Sequence, residues 1–353
     1  MDAKSNPYQC LAERRARPKT IAIILGDPSK KDVVKPNAIF DQDDWEVIER
    51  LKQALFDLAG YQFVFLSNHD TLIKDLMEIR DNIDYALNLC DEGYNNDPQK
   101  ELHIPALLEK LDIHYTGSSP RTLAYCFDKS LVKCLAREMG ISTPASYYYT
   151  QGELRLPADM RWPVLVKPNF GDGSHGIWQQ SLANNKEELS KAIIYLRKIL
   201  GKATLLIEEF LPGKDLTIGL IGNPADKIHV LPIIEEDYSR IPEHLPKICG
   251  YEAKWLPDSP YWQITSVPAD LTPEVEKIII EGSVKLASRL NCQDYARIDW
   301  RLDEQGQPQI LEVNPNCGWC WDGHLAKMAN LIGWDYAKLM QQILKSAEKR
   351  LGL

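Results

Sequence analysis

The sequence predicts an α/β (α+β) protein of three lobes, the first a small doubly wound unit around a parallel sheet. Two observations carry this. Over the first hundred or so residues, strand-like apolar runs alternate with segments of helical spacing, the pattern of parallel strands covered on both faces. From about residue 140 the alternation gives way to strands at 164–167, 205–208 and 216–221, with a single helix between the first two. A length of 353 residues with 44% hydrophobic content allows two or three folding units.

Taken in order, residues 1–19 are polar and basic and read as a loose lead-in. A strand at 21–25 closes at Gly26-Asp27-Pro28. A helix over 46–58 places Val47, Leu51, Leu55 and Leu58 on one face. A strand at 61–66, a helix at 72–79, a strand at 85–89 and a helix at 104–111 complete the first lobe, expected to span 20–120. The stretch 115–120, Tyr-Thr-Gly-Ser-Ser-Pro, reads as a turn-rich junction. The second lobe, 121–212, holds a helix at 131–139 ending on Gly140, a residue suited to a left-handed cap, and a helix at 186–200. The third, 213–353, adds a helix at 273–290, strands at 295–301 and 309–314, and a closing helix at 336–351.

The bulk composition excludes some partners. A net charge of −9 argues against a nucleic-acid or membrane-surface partner, since phosphate-binding surfaces need a local excess of Lys and Arg. The apolar run 21–25 is far too short to span a bilayer. The first residues, with Asp2, Lys4, Glu13, Arg14, Arg15 and Arg17, have no apolar centre of a secretory signal. Eight cysteines, scattered except for Cys317-Gly-Trp-Cys320, read as reduced thiols of a cytoplasmic protein. A redox role for that pair would require a helix N-terminus, so a place in a pocket wall comes first.

Three stretches carry chemistry. Residues 295–301 and 309–314 flank a turn at Asp303-Glu304-Gln305-Gly306 and should form a hairpin. Side chains two apart share a face, so Arg297 projects with Asp299, and Glu312 with Asn314. Two carboxylates and a carboxamide suit a hard divalent ion, while the plainer alternative is a solvated charged face. Ile298 and Val313 alternate inward and fix which side the polar set occupies. Second, Lys167 ends a strand and precedes a loop containing Gly171, Gly173, Ser174, His175 and Gly176, a means of cradling phosphates with backbone N–H groups. The lysine precedes the glycines, so this is neither a Walker loop nor a dinucleotide fingerprint. Third, the apolar strand 205–207 leads into Glu208, Glu209, Phe210 and Leu211, and then Asp215, a stretch whose backbone groups suit an adenine edge or simply a connecting strand with a solvated end.

In this order the three stretches resemble the ATP-grasp superfamily, and within it the D-alanine–D-alanine ligase branch. The resemblance spans about 21–344 and includes Tyr115-Thr-Gly-Ser118, Asp128-Lys129 and Tyr251-Glu-Ala-Lys-Trp255. It implies an ATP-grasp fold behind an N-terminal doubly wound domain, with the nucleotide held between the second and third lobes. By position it implies that Lys133, Lys167 and Lys254 contact ATP phosphates under the loop Gly173-Ser174-His175-Gly176. Glu208 would meet the adenine amino group beside the backbone of Glu209 and Leu211, and Asp215, where the family usually has Glu, the ribose. Asp299, Glu312 and Asn314 would hold Mg²⁺, with Mn²⁺ as a substitute. Arg297 would stabilise the oxyanion formed when an amine attacks an acyl phosphate, with Ser174 and Lys254 completing the catalytic set. A Pro-rich, charged stretch around 237–254 would close as a lid. A homodimer through the N-terminal lobe is also implied, as are small-molecule carboxylate and amine substrates.

The departures from the family fall in the substrate pockets. The glutamate that ends the family's first glycine-rich motif and grips the amino group of the first D-alanine is missing from 26–32. The next family segment is replaced by Asn88-Leu-Cys-Asp91-Glu92-Gly93-Tyr94-Asn-Asn-Asp97, whose acidic residues would hold a substrate ammonium or form a solvated turn. Trp255 occupies a lid position where the family has a Phe or a hydroxylated aromatic. Gly318, Trp319, Trp321 and Asp322 are expected to line the substrate cavity, and no serine for the second substrate stands near His324. The first reading is therefore an amide-forming ligase acting on substrates other than two D-alanines. A D-alanine–D-alanine ligase of cell-wall synthesis and an ATP-binding protein without turnover are the alternatives.

Overall fold

The computed structural model describes residues 17–353 apart from 36, 39, 159 and 172. Most of the expected lead-in, 1–16, lies outside the described residues. β1 (Lys19–Ile24), β2 (Tyr61–Leu66) and β3 (Tyr85–Asn88) form a parallel sheet in the order β2-β1-β3. Alternation along β1 explains its two covered faces. Ile21 and Ile23 pack with Leu51 and Leu55 of the helix Gln42–Phe56. Ala22 and Ile24 pack with Leu72 and Leu76 of Leu72–Ile79 and with Ile104 and Leu108 of His103–Lys110.

Helix starts differ from the apolar pattern where capping decides them. Asp41 accepts from the N–H groups of Asp43 and Asp44, and the Asp44 side chain accepts from the Asp41 N–H. This capping box starts the helix at Gln42, before its first core-facing residue. The turn-rich junction holds from 115 to 119, with Gly117 at φ +83°, and a helix not read from the sequence, Pro120–Phe127, follows it, with proline in the first turn and Ser119 accepting from the Thr122 N–H. Asp128 caps the next helix, Lys129–Glu138, and Gly140 beyond it has φ +76°.

β4 (Ser146–Tyr149), β5 (Val164–Pro168), β6 (Leu182–Ala183) and β7 (Leu205–Glu209) form an antiparallel sheet in the order β4-β7-β5-β6. The helix Lys186–Leu200 covers it through Leu189, Ile193 and Leu196. A third, antiparallel sheet contains β8 (Asp215–Ile221), β9 (His229–Val230), β10 (Ile234–Asp237), β11 (Thr265–Pro268), β12 (Tyr295–Leu302) and β13 (Pro308–Asn314). Its order is β11-β10-β8-β12-β13, with β9 beside β8. The helix Pro273–Leu290 packs on this sheet at Gly282, where a Cβ would fall 2.8 Å from the buried Trp300 ring. Trp300 Nε1 donates to Ser283 Oγ at 2.9 Å. The closing helix Tyr336–Leu351 puts Leu339, Met340, Ile343 and Leu344 into the same core as Ile21, Tyr85 and Leu87. The first sheet thus shares its core with the far end of the chain. Among the described residues, no helix is long and apolar enough to cross a membrane.

Candidate active site

The hairpin forms as its sequence predicts. Asp299 faces Glu312 and Arg297 faces Asn314 across β12 and β13, while Ile298 and Val313 are buried on the other face. The Arg297 guanidinium donates to Asp299 from Nε and Nη2, both at 3.0 Å. Thr217 Oγ1 and Asn314 Nδ2 also donate to Asp299, each at 2.9 Å. Lys129 Nζ lies 3.4 Å from Glu312. Burial alone would raise the Glu312 carboxyl, but Lys129, Lys167, Arg297 and Lys254 outweigh it and hold the pKa at about 2. Among the described residues no group of three or more His, Cys, Asp or Glu side chains is arranged to hold a metal ion. The set here is two carboxylates and a carboxamide, an all-oxygen set of the kind that holds Mg²⁺ when substrate phosphates supply further ligands.

On the smaller sheet, Glu208 of β7 is shared by two lysines, with Lys167 Nζ of β5 at 2.5 Å and Lys133 Nζ at 3.0 Å. All three are buried. Burial pulls the Lys133 pKa down to about 8, against the attraction of Glu208. For Lys167, burial is outweighed by Glu208 and Glu312, and its pKa is raised. Burial also opposes ionisation of Glu208, and the two lysines overcome it.

A cavity of about 110 Å³ between the two antiparallel sheets brings Lys167, Ser174 and Lys254 together with Arg297, Asp299 and Glu312. Glu208, Glu209, Leu211 and Asp215 line it as well. The Glu209 side chain turns away to Arg161, 3.2 Å distant. Asp215 accepts from Tyr238 Oη at 2.8 Å and from Arg301 Nη1 at 3.1 Å, and burial raises its pKa. Arg301 stacks 4.6 Å above the Phe210 ring. It was legible as the next same-face position after Arg297 and Asp299. Glu236 and His324, joined Nε2 to Oε1 at 2.8 Å, line the cavity too, and no local motif pointed to them.

The glycine-rich loop turns through positive φ at Gly171, Gly173, Ser174 and Gly176. Gly176 is tightly enclosed, since a Cβ there would lie 2.7 Å from Pro168. Ser174 Oγ donates to the Cys249 carbonyl at 3.3 Å. The half-buried His175 lies outside the cavity lining, its ring centroid 6.1 Å from that of Tyr251, and burial lowers its pKa. The expected lid packs against this loop. Tyr251 opens the short helix Tyr251–Trp255, stacks on Trp178 at 4.2 Å, donates its N–H to Ile177 O and its hydroxyl to Val34 O.

A second cavity, of about 200 Å³, adjoins the first. Gly173 and Trp255 line the second while their chain neighbours Ser174 and Lys254 line the first. Asp91, Glu92 and Trp319 meet in it as expected, and Trp319 Nε1 donates to Leu89 O at 2.6 Å and Asp91 Oδ1 at 3.0 Å. Gly318, expected in the lining, is not part of it, although a Cβ there would stand 3.7 Å from Asp91. Trp321 and Asp322 are not part of the lining. The chain turns at Cys320, whose carbonyl accepts from the Gly323 N–H, and carries them outward. Trp321 lies under the Arg50 guanidinium at 4.8 Å, and Asp322 is exposed. Asp97 instead caps the turn Pro98–Lys100. Sequence reasoning missed Asp32, Lys35, Phe40 and Asp44, which reach the cavity from the segment after β1 and the helix start. No disulfide joins any two of the seven described cysteines, and Cys320 belongs to this cavity wall.

Several known proteins resemble this chain in sequence and fold. The family described as D-ala D-ala ligase C-terminus matches residues 148–345. The D-alanine–D-alanine ligase of Marinomonas sp. (strain MWYL1) is 30% identical over 298 residues, covering 83% of this chain and 87% of that protein. The structure of a D-alanine–D-alanine ligase from Bacillus anthracis, complexed with ATP, superposes with a TM-score of 0.69 at 23% identity, covering 94% of this chain and 98% of that one. VanG D-Ala:D-Ser ligase from Enterococcus faecalis has the same fold, with a TM-score of 0.69 at 17% identity over 94% of this chain and all of its own. The chain belongs to the D-alanine–D-alanine ligase family and is an ADP-forming, ATP-dependent ligase of the ATP-grasp type.

Proposed function

We propose that this protein forms an amide bond between a carboxylate and an amine through an acyl phosphate, on amino-acid-like substrates other than two D-alanines. The observation that carries the reading is the pair of adjoining cavities, one lined by Lys167, Lys254, Arg297, Asp299 and Glu312, the other acidic and aromatic. A substrate carboxylate at their shared wall would stand beside Lys167, Lys254 and Arg297.

In this reading Lys133, Lys167 and Lys254 neutralise the ATP phosphates, and the loop from Gly173 through Ser174 and His175 closes over them. The backbone of Glu209 and Leu211 meets adenine with Glu208 beside it, and Asp215 takes the ribose. Asp299, Glu312 and Asn314 hold Mg²⁺, or Mn²⁺ in its place, which supplies Lewis-acid stabilisation of phosphoryl charge when bound. The carboxylate oxygen attacks the γ-phosphorus and ADP leaves. The amine then attacks the acyl carbon, Arg297 stabilises the oxyanion, and phosphate departs. We also propose a cytoplasmic homodimer through the N-terminal lobe, where Ile73 and Met77, four apart on one helix, stand exposed. Light scattering that returns a single chain of 40.2 kDa would overturn the dimer.

Identity to the Marinomonas ligase favours a second reading, that D-alanine is both substrates. ADP and phosphate release with Mg-ATP, measured over D- and L-amino acids singly and in pairs with mass spectrometry of products, separates the two. Glu312→Gln is the blank. Efficient D-alanyl-D-alanine formation would establish the second reading. Turnover with a different pair establishes the first.

A further inference from the structure

The second cavity offers more room than a methyl side chain needs. Its volume of about 200 Å³ exceeds the roughly 150 Å³ in which an apolar protein cavity holds a benzene ring. Leu25, Phe40, Val47, Ile48, Trp255 and Trp319 line it. Trp255 ends the short lid helix and Trp319 follows β13, so indoles from two separate elements face one space.

The charged groups of the lining are engaged within the protein. Lys35 pairs with Asp44 and, at 3.6 Å, with Asp41, and its Nζ lies 5.7 Å from the ring centroids of both Phe40 and Trp255. Asp32 Oδ1 accepts from the Val34 N–H at 2.9 Å, and Asp91 Oδ1 accepts from the Trp319 indole at 3.0 Å. The Glu92 carboxyl packs onto Gly26 just beyond β1, where a Cβ would lie 2.7 Å from Glu92 Cδ. Burial, then the neighbouring Asp91, push the Glu92 pKa well above the usual carboxylate range and favour its neutral form. What this leaves for a ligand is aromatic and aliphatic surface, which stabilises a side chain in proportion to the apolar area removed from water. The wall shared with the cavity proposed for ATP, at Gly173–Ser174 and Lys254–Trp255, sets the orientation. A carboxylate at that wall leaves the body of its molecule in the second cavity.

We propose that the carboxylate donor is an amino acid with a large apolar side chain, seated between Trp255 and Trp319 against Phe40, Val47 and Ile48. This rests on the ligase reading above, and it can fail while that reading stands.

The donor is identifiable without knowing the acceptor. Hydroxylamine, supplied in place of the amine substrate, attacks the acyl phosphate, displaces phosphate and leaves a hydroxamate. Wild-type protein with Mg-ATP and hydroxylamine is assayed for ADP and hydroxamate with norleucine, leucine and phenylalanine against alanine, lysine and glutamate, each as both enantiomers. Norleucine carries three more methylenes than alanine, and it is expected to exceed alanine in kcat/KM by at least about tenfold. Lysine, which is norleucine extended by an ammonium group, should fall below norleucine because its cation would lose water there. Val47→Phe, which puts a ring into the space, should lower the norleucine-to-alanine ratio by about tenfold. ATP affinity and thermal melting establish that the variant is folded, and an unchanged ratio in the folded variant overturns the inference. If the variant does not fold, the wild-type donor series alone decides. A wild-type ratio below about tenfold, or lysine above norleucine, overturns the inference and leaves the ligase reading standing. Silence with every donor while ATP still binds overturns the reading on amino-acid-like substrates, and the inference with it.

Discussion

A carboxylate shared by two buried ammonium groups makes Glu208 a sensitive position beside the cavity proposed for ATP. Lys133 and Lys167 have no solvent to fall back on, so removing the charge between them leaves two like charges in a low-dielectric interior. Glu208→Gln should therefore destabilise the fold by about 3–5 kcal/mol, read as a lower denaturant midpoint, and ATP should recover part of that loss by bringing phosphate charge. An unchanged midpoint would mean that water reaches the lysines. The Lys133 pKa of about 8 gives the same site a pH signature. Its folded value is depressed, so the free protein holds the ammonium below about 8 and releases the proton above it. In the proposed phosphate contact, ATP favours the ammonium form. The KM for ATP should be flat from pH 6.5 to 7.5 and rise by up to about tenfold per pH unit above 8, until the pKa of the bound form is reached. Lys133→Arg should flatten that rise, and a flat wild-type profile to pH 9.5 would assign the phosphate contact elsewhere.

The elements that act on the cavities are held by contacts that cross between segments. Tyr251 joins Ile177 through its N–H, Trp178 through its ring and Val34 through its hydroxyl, so one residue fastens the lid to the glycine-rich loop and to the segment after β1. An acyl phosphate survives only where water is excluded. Tyr251→Ala should raise the ratio of ADP released to amide formed above one, measured below the lowered melting temperature that loss of a buried, stacked ring brings. Coupled turnover in the variant would place water exclusion in another element. The hairpin β12–β13 was legible because strand alternation, a glycine turn and paired carboxylates all pointed to one register. The glycine loop was legible from its composition. The helix Pro120–Phe127 was not, since its opening Ser-Ser-Pro also spells a turn, and only the capping bond from Ser119 to Thr122 separates the two outcomes. The short strands β9, β10 and β11 lack the length for a visible alternation. Trp321 and Asp322 were misplaced because one turn at Cys320 reverses the side on which they emerge.

At the scale of the whole molecule, the chain closes on itself. The core beneath β1 and β3 is completed by the last helix, Tyr85 Oη donates to Glu348 Oε1 at 3.1 Å, and Arg350 Nη2 pairs with Asp294 at 2.7 Å. Sequence periodicity finds each strand and helix but contains no term for partners some 260 positions apart, so this closure was invisible to it. It matters for the proposed function because the stretch read as a lid contacts a segment of the first unit, while the cavity proposed for ATP lies between the other two sheets. Nucleotide and donor then act on one arrangement of all three sheets. A non-hydrolysable ATP analogue at 100 times its Kd should stabilise the protein by about 2.7 kcal/mol by mass action alone. If the lid couples the cavities, the donor should bind more tightly in its presence, and the two together should raise the melting temperature by more than the sum of their separate shifts. Tyr251→Ala should reduce the joint shift toward that sum while leaving each separate shift in place. Additive shifts in the wild-type protein would mean that the two cavities fill independently and that the contact with Val34 carries no coupling.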